Sequence, residues 1–358
     1  VTADTNVDIQ SNYTKRSKKW KLTLTGLIVA LVVAVIVSLN IGYAPVSFVE
    51  LLAVLGRQIP FLHNSIDPSL LVTNNVETII IQSRLPRIMA GAIIGGGLAA
   101  AGVLYQGVFK NPMADPFVLG VSSGAAVGTG IVVMFVGGLT IMGFPLAPTV
   151  AFIAALATIF LVYNISRVGN RVPEMTLLLT GIAFTIFLTA IYQAMENIAA
   201  SNNLHALVNF TIGGISEIGW TSLWSIFPFI MIGIVLSFFY TRDLNIISMG
   251  EETAQHLGVN TERTKKILIA LGSMITAAAV AVSGLIGFVG LMIPHITRLI
   301  FGPDHRLLLP ASVVVGAIYL VLCDALARVL VLRVGIITAI VGGIFFIFLL
   351  RKKLNYRM

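Results

Sequence analysis

The sequence predicts an all-α polytopic membrane protein with ten transmembrane helices. Composition is the first reason: of 358 residues, 57% are hydrophobic, 11% are charged, and the mean hydropathy is +0.96. A soluble globular protein carries about 25% charged residues, so a soluble enzyme of any fold is excluded. The second reason is arrangement. The 23 Lys and Arg, against 15 Asp and Glu, stand between long apolar runs, so the positive balance points to a membrane rather than to nucleic acid. The single cysteine, Cys323, lies inside an apolar run, which leaves no internal disulfide and no cysteine-cluster metal site.

A helix needs about 20 apolar residues to cross the hydrocarbon. Uncharged runs occupy Leu22–Gly42, Ile88–Phe109, Phe117–Gly137, Leu146–Tyr163, Leu177–Met195 and Ile218–Thr241. Further runs are Ile267–Thr297, the stretch from Leu307 up to Asp324, and Val334–Leu350. Ile267–Thr297 is too long for one untilted helix, and Ser283-Gly284 divides it into a full helix and a shorter return. Ten spans put both termini on one side. The positive-inside rule makes that side cytoplasmic: 18 basic residues then lie inside, and Arg57, Arg84, Arg87, Arg328 and Arg333 lie outside. The net charge becomes +9 inside and −1 outside.

Residues 1–19 are polar and predict a disordered cytoplasmic tail ahead of a membrane domain spanning 20–358. The apolar segment after it is too long, and the tail too long and acidic, for a cleaved signal peptide. Pro45–Gly56 and Asn202–Gly213 predict short helices or loops near the external surface. Phe61–Glu77 predicts a polar loop.

None of the uncharged runs holds an ionisable Asp, Glu, Lys or Arg. An ion-coupled carrier needs such groups at bilayer depth, so a secondary transporter is the weaker alternative. No His-Glu-x-x-His occurs, and His63, His205, His256, His295 and His305 are scattered, as solvated or capping side chains would be. No lysine follows a glycine, so the chain has no Gly-Lys-[Ser/Thr] phosphate loop. Energy for a pump must come from a separate ATPase.

The internal loop Arg242–Lys266 is where such a partner could act. Ser248-Met249-Gly250-Glu251 predicts a capping box, and Glu251 and Glu252 suit a helix's first turn. Gly258 is a stop signal, and Asn260 or Thr261 starts the next helix. The result is a helix of two to three turns at the cytoplasmic face. It is either an ordinary capped connector or a docking helix for a cytosolic motor; a passive channel would have no use for the latter.

The segment GEETAQHLGV in this loop resembles the coupling loop of permease subunits of type II ABC importers for iron-siderophores, haem and cobalamin, the FecCD/BtuC-like family. Arg84-Leu85-Pro86-Arg87, the glycine-rich stretch Gly91–Ala125 and the stretch Gly284–Pro310 are similar to that family in the same order. The resemblance implies a BtuC-like permease fold that is not itself an enzyme. It also implies a second permease subunit, as homodimer or heterodimer, two cytosolic ABC ATPases and an extracytoplasmic binding protein. No cofactor or metal is expected in this chain, because ATP and Mg belong to the ATPase. Ferric siderophore is the first cargo implied, with haem or cobalamin as the alternative.

Residue roles follow from the same resemblance. ATPase coupling falls to Gly250, Glu251, Glu252, Ala254, Leu257 and Gly258. Binding-protein docking falls to Arg84, Arg87 and Arg328, whose guanidinium forks suit carboxylates. Interfacial anchoring competes for Arg84 and Arg87, and pairing with Asp324 at i−4 competes for Arg328. Asn111 and Met113, with Glu174 and Met175, fall near the cytoplasmic gate. Glu174-Met175 departs from the family, which often has small hydroxyl residues there. Val331-Leu332-Arg333 and Gly342-Gly343-Ile344 depart as well. Relatives relate spans two to five to spans seven to ten by inverted topology. Gly91-x-x-x-Gly95 and Gly120, Gly124 and Gly128 predict close helix packing, and Gly284, Gly287 and Gly290 predict a bend or a short helix.

Overall fold

Hydrocarbon offers no partner to a backbone N–H or C=O, so a spanning segment must satisfy its own as a helix. The computed structural model describes residues 2–42, 46–58, 61, 75–137, 139–141, 144–169 and 172–355. Most of the predicted polar loop at Phe61–Glu77 lies outside them. The helices, in order, are α1 (Thr2–Asn40), α2 (Phe48–Arg57), α3 (Val76–Thr78), α4 (Leu85–Val108), α5 (Val121–Phe135), α6 (Leu146–Ile165), α7 (Glu174–Ile198) and α8 (Ser201–Ile212). They continue as α9 (Trp220–Phe239), α10 (Thr241–Ile247), α11 (Glu251–His256), α12 (Thr261–Ser283), α13 (Val289–Phe301), α14 (His305–Leu330) and α15 (Val334–Asn355). Two short strands, β1 (Thr140–Ile141) and β2 (Phe144–Pro145), pair antiparallel before α6.

The nine apolar runs, one of them divided in two, become ten helices: α1, α4, α5, α6, α7, α9, α12, α13, α14 and α15. Among the described residues, seven helical stretches are able to cross a membrane by length and composition, whereas α5, α13 and Val334–Leu349 of α15 are shorter. The split at Ser283-Gly284 is observed. Gly284 has φ +66°, and its amide closes α12 on the Val280 carbonyl. Strands of backbone then interlock there: Gly214 N donates to Ser283 O at 2.8 Å, and Leu285 N to Phe210 O at 3.0 Å.

Three expectations need correction. α1 begins at Thr2 rather than after a disordered tail; no glycine or proline precedes Gly26 to stop it. The helix leading into α4 begins at Val76, nine residues before Leu85, and passes through a π-helical turn at Ile79–Arg84. The indole N–H of Trp220 takes up the Ile81 carbonyl in that turn at 2.9 Å, which is how a helix irregularity is satisfied by a neighbour. The capping box forms at Ser47 and Glu50, not at Ser248 and Glu251: Ser47 N donates to Glu50 Oε2 at 2.8 Å, and Glu50 N to Ser47 Oγ at 3.2 Å.

α4 is the centre of the core, buried almost continuously from Ile94 to Val108 and packed by α14, α12, α13 and α9. Its small residues make this possible. A Cβ on Gly95 would sit 2.3 Å from the Gly316 carbonyl oxygen of α14, and one on Gly102 would sit 1.8 Å from the Gly290 oxygen of α13. Gly124 and Gly128 do the same for α5 against α6, meeting Thr158 and the Val150 carbonyl. The predicted role of these glycines in close packing therefore holds.

Gly102→Ala should lower the thermal unfolding temperature of the detergent-solubilised protein, at a cost of at least about 1–3 kcal/mol, because the obstacle is backbone. Gly343→Ala, which meets nothing within 4 Å, should leave that temperature unchanged.

Candidate functional site

α4 carries charge at both of its ends, and each end gathers a cluster. At the C-terminal end, Lys110 follows α4 in the left-handed region, φ +46°. Its Nζ donates to Glu251 Oε1 at 3.2 Å. Lys265, one turn into α12, donates to the same Glu251 oxygen at 2.5 Å and to Glu174 Oε1, on the first residue of α7, at 2.6 Å. The Lys265 side chain is only 9% exposed. Hydrogen bonding from Lys265 is the chief reason the Glu251 carboxyl is pulled down to about 2.

α11 stands on this cluster. Gly250, φ +127°, starts it without a side-chain cap. Gly258, φ +82°, ends it, with Gly258 N donating to Gln255 O at 3.0 Å and Val259 N to Ala254 O at 2.9 Å. This is the paired closure expected at a C-terminal glycine. The Ser248 hydroxyl donates backward to Asn245 O at 2.6 Å, because residues 241–247 already form α10. Asn260 caps α12, its Oδ1 accepting from Arg263 N at 3.0 Å. Ala254 is buried, while Met249 and Leu257 are 71% and 60% exposed. α10 is tied to α14 through Asn245, which donates to Asp304 Oδ1 at 2.8 Å and accepts from His305 N at 2.9 Å.

Asn111 and Met113 sit in the turn after Lys110, where Asn111 Oδ1 accepts from Met113 N at 3.0 Å. Asp115 caps the 3-10 turn Pro116–Leu119 by accepting from Phe117 N at 2.8 Å. Burial pushes its carboxyl up to about 6. Met175 is 71% exposed.

At the other end of α4, three arginines turn inward. Arg87 grips Asp324 of α14 with Nε at 3.0 Å from both carboxylate oxygens and Nη2 at 2.7 Å from Oδ1. Arg328 Nε stands 3.2 Å from Asp324 Oδ2, its Nη1 donates to Ile41 O at 2.6 Å, and its Nη2 donates to the Ser38 hydroxyl. Arg84, 5% exposed, donates to Leu39 O at 2.6 Å. The end of α1 is thus fastened to α4 and α14. A Cβ on Gly42 would come within 2.5 Å of the Arg84 guanidinium.

The model of the FecCD transport family matches residues 14–352. The chain belongs to the FecCD transport family. A FecCD relative, the cobalamin import system permease protein BtuC of Halobacterium salinarum, is 40% identical over 284 residues, covering 79% of this chain and 76% of that one. The hemin transport system permease protein HmuU of Yersinia pestis is 35% identical over 289 residues, covering 77% and 84%. Other relatives are named for iron(3+)-citrate and iron(3+)-hydroxamate import. A solved metal-chelate type ABC transporter in an inward-facing conformation superposes with a TM-score of 0.78 at 31% identity, over 92% of this chain and 98% of that one. The chain is therefore an integral-membrane permease of the ABC importers for metal chelates, with the BtuC-like fold.

In this FecCD protein, the expected coupling residues Gly250–Gly258 form the short helix α11 (Glu251–His256) and its two flanks, and Glu174 shares a lysine with Glu251. The pairing of Arg328 with Asp324 at i−4 is present, joined by Arg87 from a distant helix. Lys265 and Lys110 were legible in the sequence only as positive-inside charges; their convergence on carboxylates 91 and 141 residues away is a tertiary event. Among the described residues, no group of His, Cys, Asp and Glu could hold a metal. An apolar cavity of about 510 Å³ between α6, α9 and α12, walled by Phe152, Trp224 and Phe229, is lined by none of these charged residues.

Asp324→Ala should destabilise the protein by about 3–5 kcal/mol in detergent thermal unfolding, since it leaves the Arg328 guanidinium, 7% exposed, and the half-buried Arg87 without their carboxylate. Glu251 titrates the other way from a buried acid. Its folded value lies below the ordinary 4.5, so the stability from its ion pairs is full above about pH 4.5 and is lost as pH falls toward 2. A wild-type-minus-Glu251→Gln infrared difference spectrum should still show the ionised carboxylate at about pH 3.

Proposed function

We propose that the chain imports a metal chelate as half of a permease dimer, driven by two cytosolic ABC ATPases that dock on α11. Ten helices cross the membrane, both termini are cytoplasmic, and the α11 end faces the cytosol. The observation that carries this reading is the form of α11: a six-residue helix, seated by Ala254 and the lysine cluster, with exposed Met249 and Leu257 flanking it. Exposed apolar side chains beside charged ones, at a polar end of a membrane protein, suit a protein partner. Glu252 lies exposed beside them.

An extracytoplasmic binding protein delivers the chelate at the opposite end, where Arg84, Arg87 and Arg328 cluster. Arg87, at 18% side-chain exposure, is the docking contact among the three, and Arg84 and Arg328 hold α1 beneath it. Glu174 and Met175, with Asn111 and Met113, flank the cytoplasmic exit. The cargo is a ferric siderophore. Cobalamin is the second reading, favoured by the 40% identity to a cobalamin permease, and haem is the third.

Leu257→Asp should abolish co-purification of the ATPase while leaving the thermal unfolding of the permease unchanged. In vesicles holding permease, ATPase and binding protein, uptake of a ferric siderophore should require ATP. ATP-dependent uptake of cobalamin or haem in its place would reassign the cargo, and uptake without the ATPase would overturn the mechanism.

A further inference from the structure

The charge cluster under α11 has a composition that a simple anchor does not need. It holds two cations, Lys110 and Lys265, and two anions, Glu174 and Glu251, with Glu251 bonded to both lysines and Lys265 bonded to both carboxylates. Glu251 and Lys265 can each lose one partner and keep the other, while Lys110 and Glu174, with one partner each, are 32% and 31% exposed and reach solvent. Pairs can therefore be exchanged without stranding a poorly hydrated charge, which is the condition for two discrete arrangements of nearly equal energy.

The three elements that meet here differ in how firmly they are held. α12 is embedded in the core, buried along most of its length from Thr264 to Ser283. α11 has one buried residue, Ala254, and α7 begins with Glu174, its neighbours Pro173 and Met175 exposed. Lys265 is thus a fixed post between two lightly held helix starts. Its carboxylate partners are the first residue of each.

We infer that Lys265 is a positioning residue that carries a displacement of α11 to the first turn of α7, by exchanging Glu251 and Glu174 as partners. Motion of α11 away from Lys265 leaves Glu251 on Lys110 and gives Lys265 wholly to Glu174; its return shares the ammonium again and loosens α7. The inference rests on the reading that an ATPase moves α11 and that α7 flanks the exit.

The test uses the assembled permease–ATPase complex carrying Met175→Cys, with Cys323 buried. The rate of maleimide labelling at position 175 is compared without nucleotide and after trapping with ATP and vanadate. With Lys265 present, the two rates should differ by about fivefold or more, the low end of allosteric coupling. Lys265→Met should abolish the difference in complexes that retain the ATPase, and Lys265→Arg, which keeps charge and donors, should retain it. Glu174→Ala cuts only the α7 limb at a partly exposed site and should abolish it too, which covers the case where Lys265→Met does not fold. A full nucleotide response in Lys265→Met or Glu174→Ala overturns the relay and leaves the importer reading intact. No response with Lys265 present, or no bound ATPase, overturns both.

Discussion

The closeness of α4 to its neighbours is the constraint on which the remaining structure depends. Lipid tails are as apolar as leucine, so helices in a membrane gain little from hydrophobic burial against each other and must associate through packing. Gly95 facing Gly316, and Gly102 facing Gly290, let backbone meet backbone. Larger residues would hold α14 and α13 away from α4. That distance fixes more than the core. It brings Asp324 of α14 to Arg87, and it sets where the C-terminal end of α4 delivers Lys110.

The two ends of α4 then treat charge in different ways. Asp324 is 1% exposed and is satisfied by a bidentate guanidinium and a second arginine on its own helix. Such a pair is hard to break singly, because removing one member strands the other. Arg84 and Arg328 spend their remaining donors on the carbonyls of Leu39 and Ile41 at the end of α1, groups that no further turn of helix satisfies. The cluster at the other end is looser. Glu251 is 37% exposed and Lys110 32%, so solvent screens those pairs, and they are worth less individually.

This contrast bears on how α11 works. Six residues are far too few to hold a helix by themselves in water, and Gly250 gives it no side-chain cap. Its position is set by the buried Ala254, by the Gly258 closure and by the lysines on Glu251. A helix placed by ion pairs to two other elements moves when they move, whereas a helix locked by its own capping box would report only on its own sequence. Ser248 and Glu251 form no such box because α10 claims the serine and the lysines claim the glutamate.

What the sequence determined alone was everything that depends on composition and period. Apolar runs set the ten helix positions. Ser283-Gly284 set the break, and Gly258 and Asn260 set the end of α11 and the start of α12. These are decided within a few residues by backbone conformation, capping and the length of hydrocarbon to be crossed. The motifs at Arg84–Arg87, Gly91–Ala125, Gly250–Val259 and Gly284–Pro310 also sufficed for the family. The start of α1 and the π-helical turn before α4 were not legible, since the first lacks any stop signal and the second is completed by an indole from α9. Nor were the clusters. Whether a lysine such as Lys265 is one more surface charge or the shared partner of two glutamates depends on which helices lie beside it. Only the packing of α4, α7, α11 and α12 decides that, because ion pairing falls off over a few ångströms while the partners lie far apart along the chain.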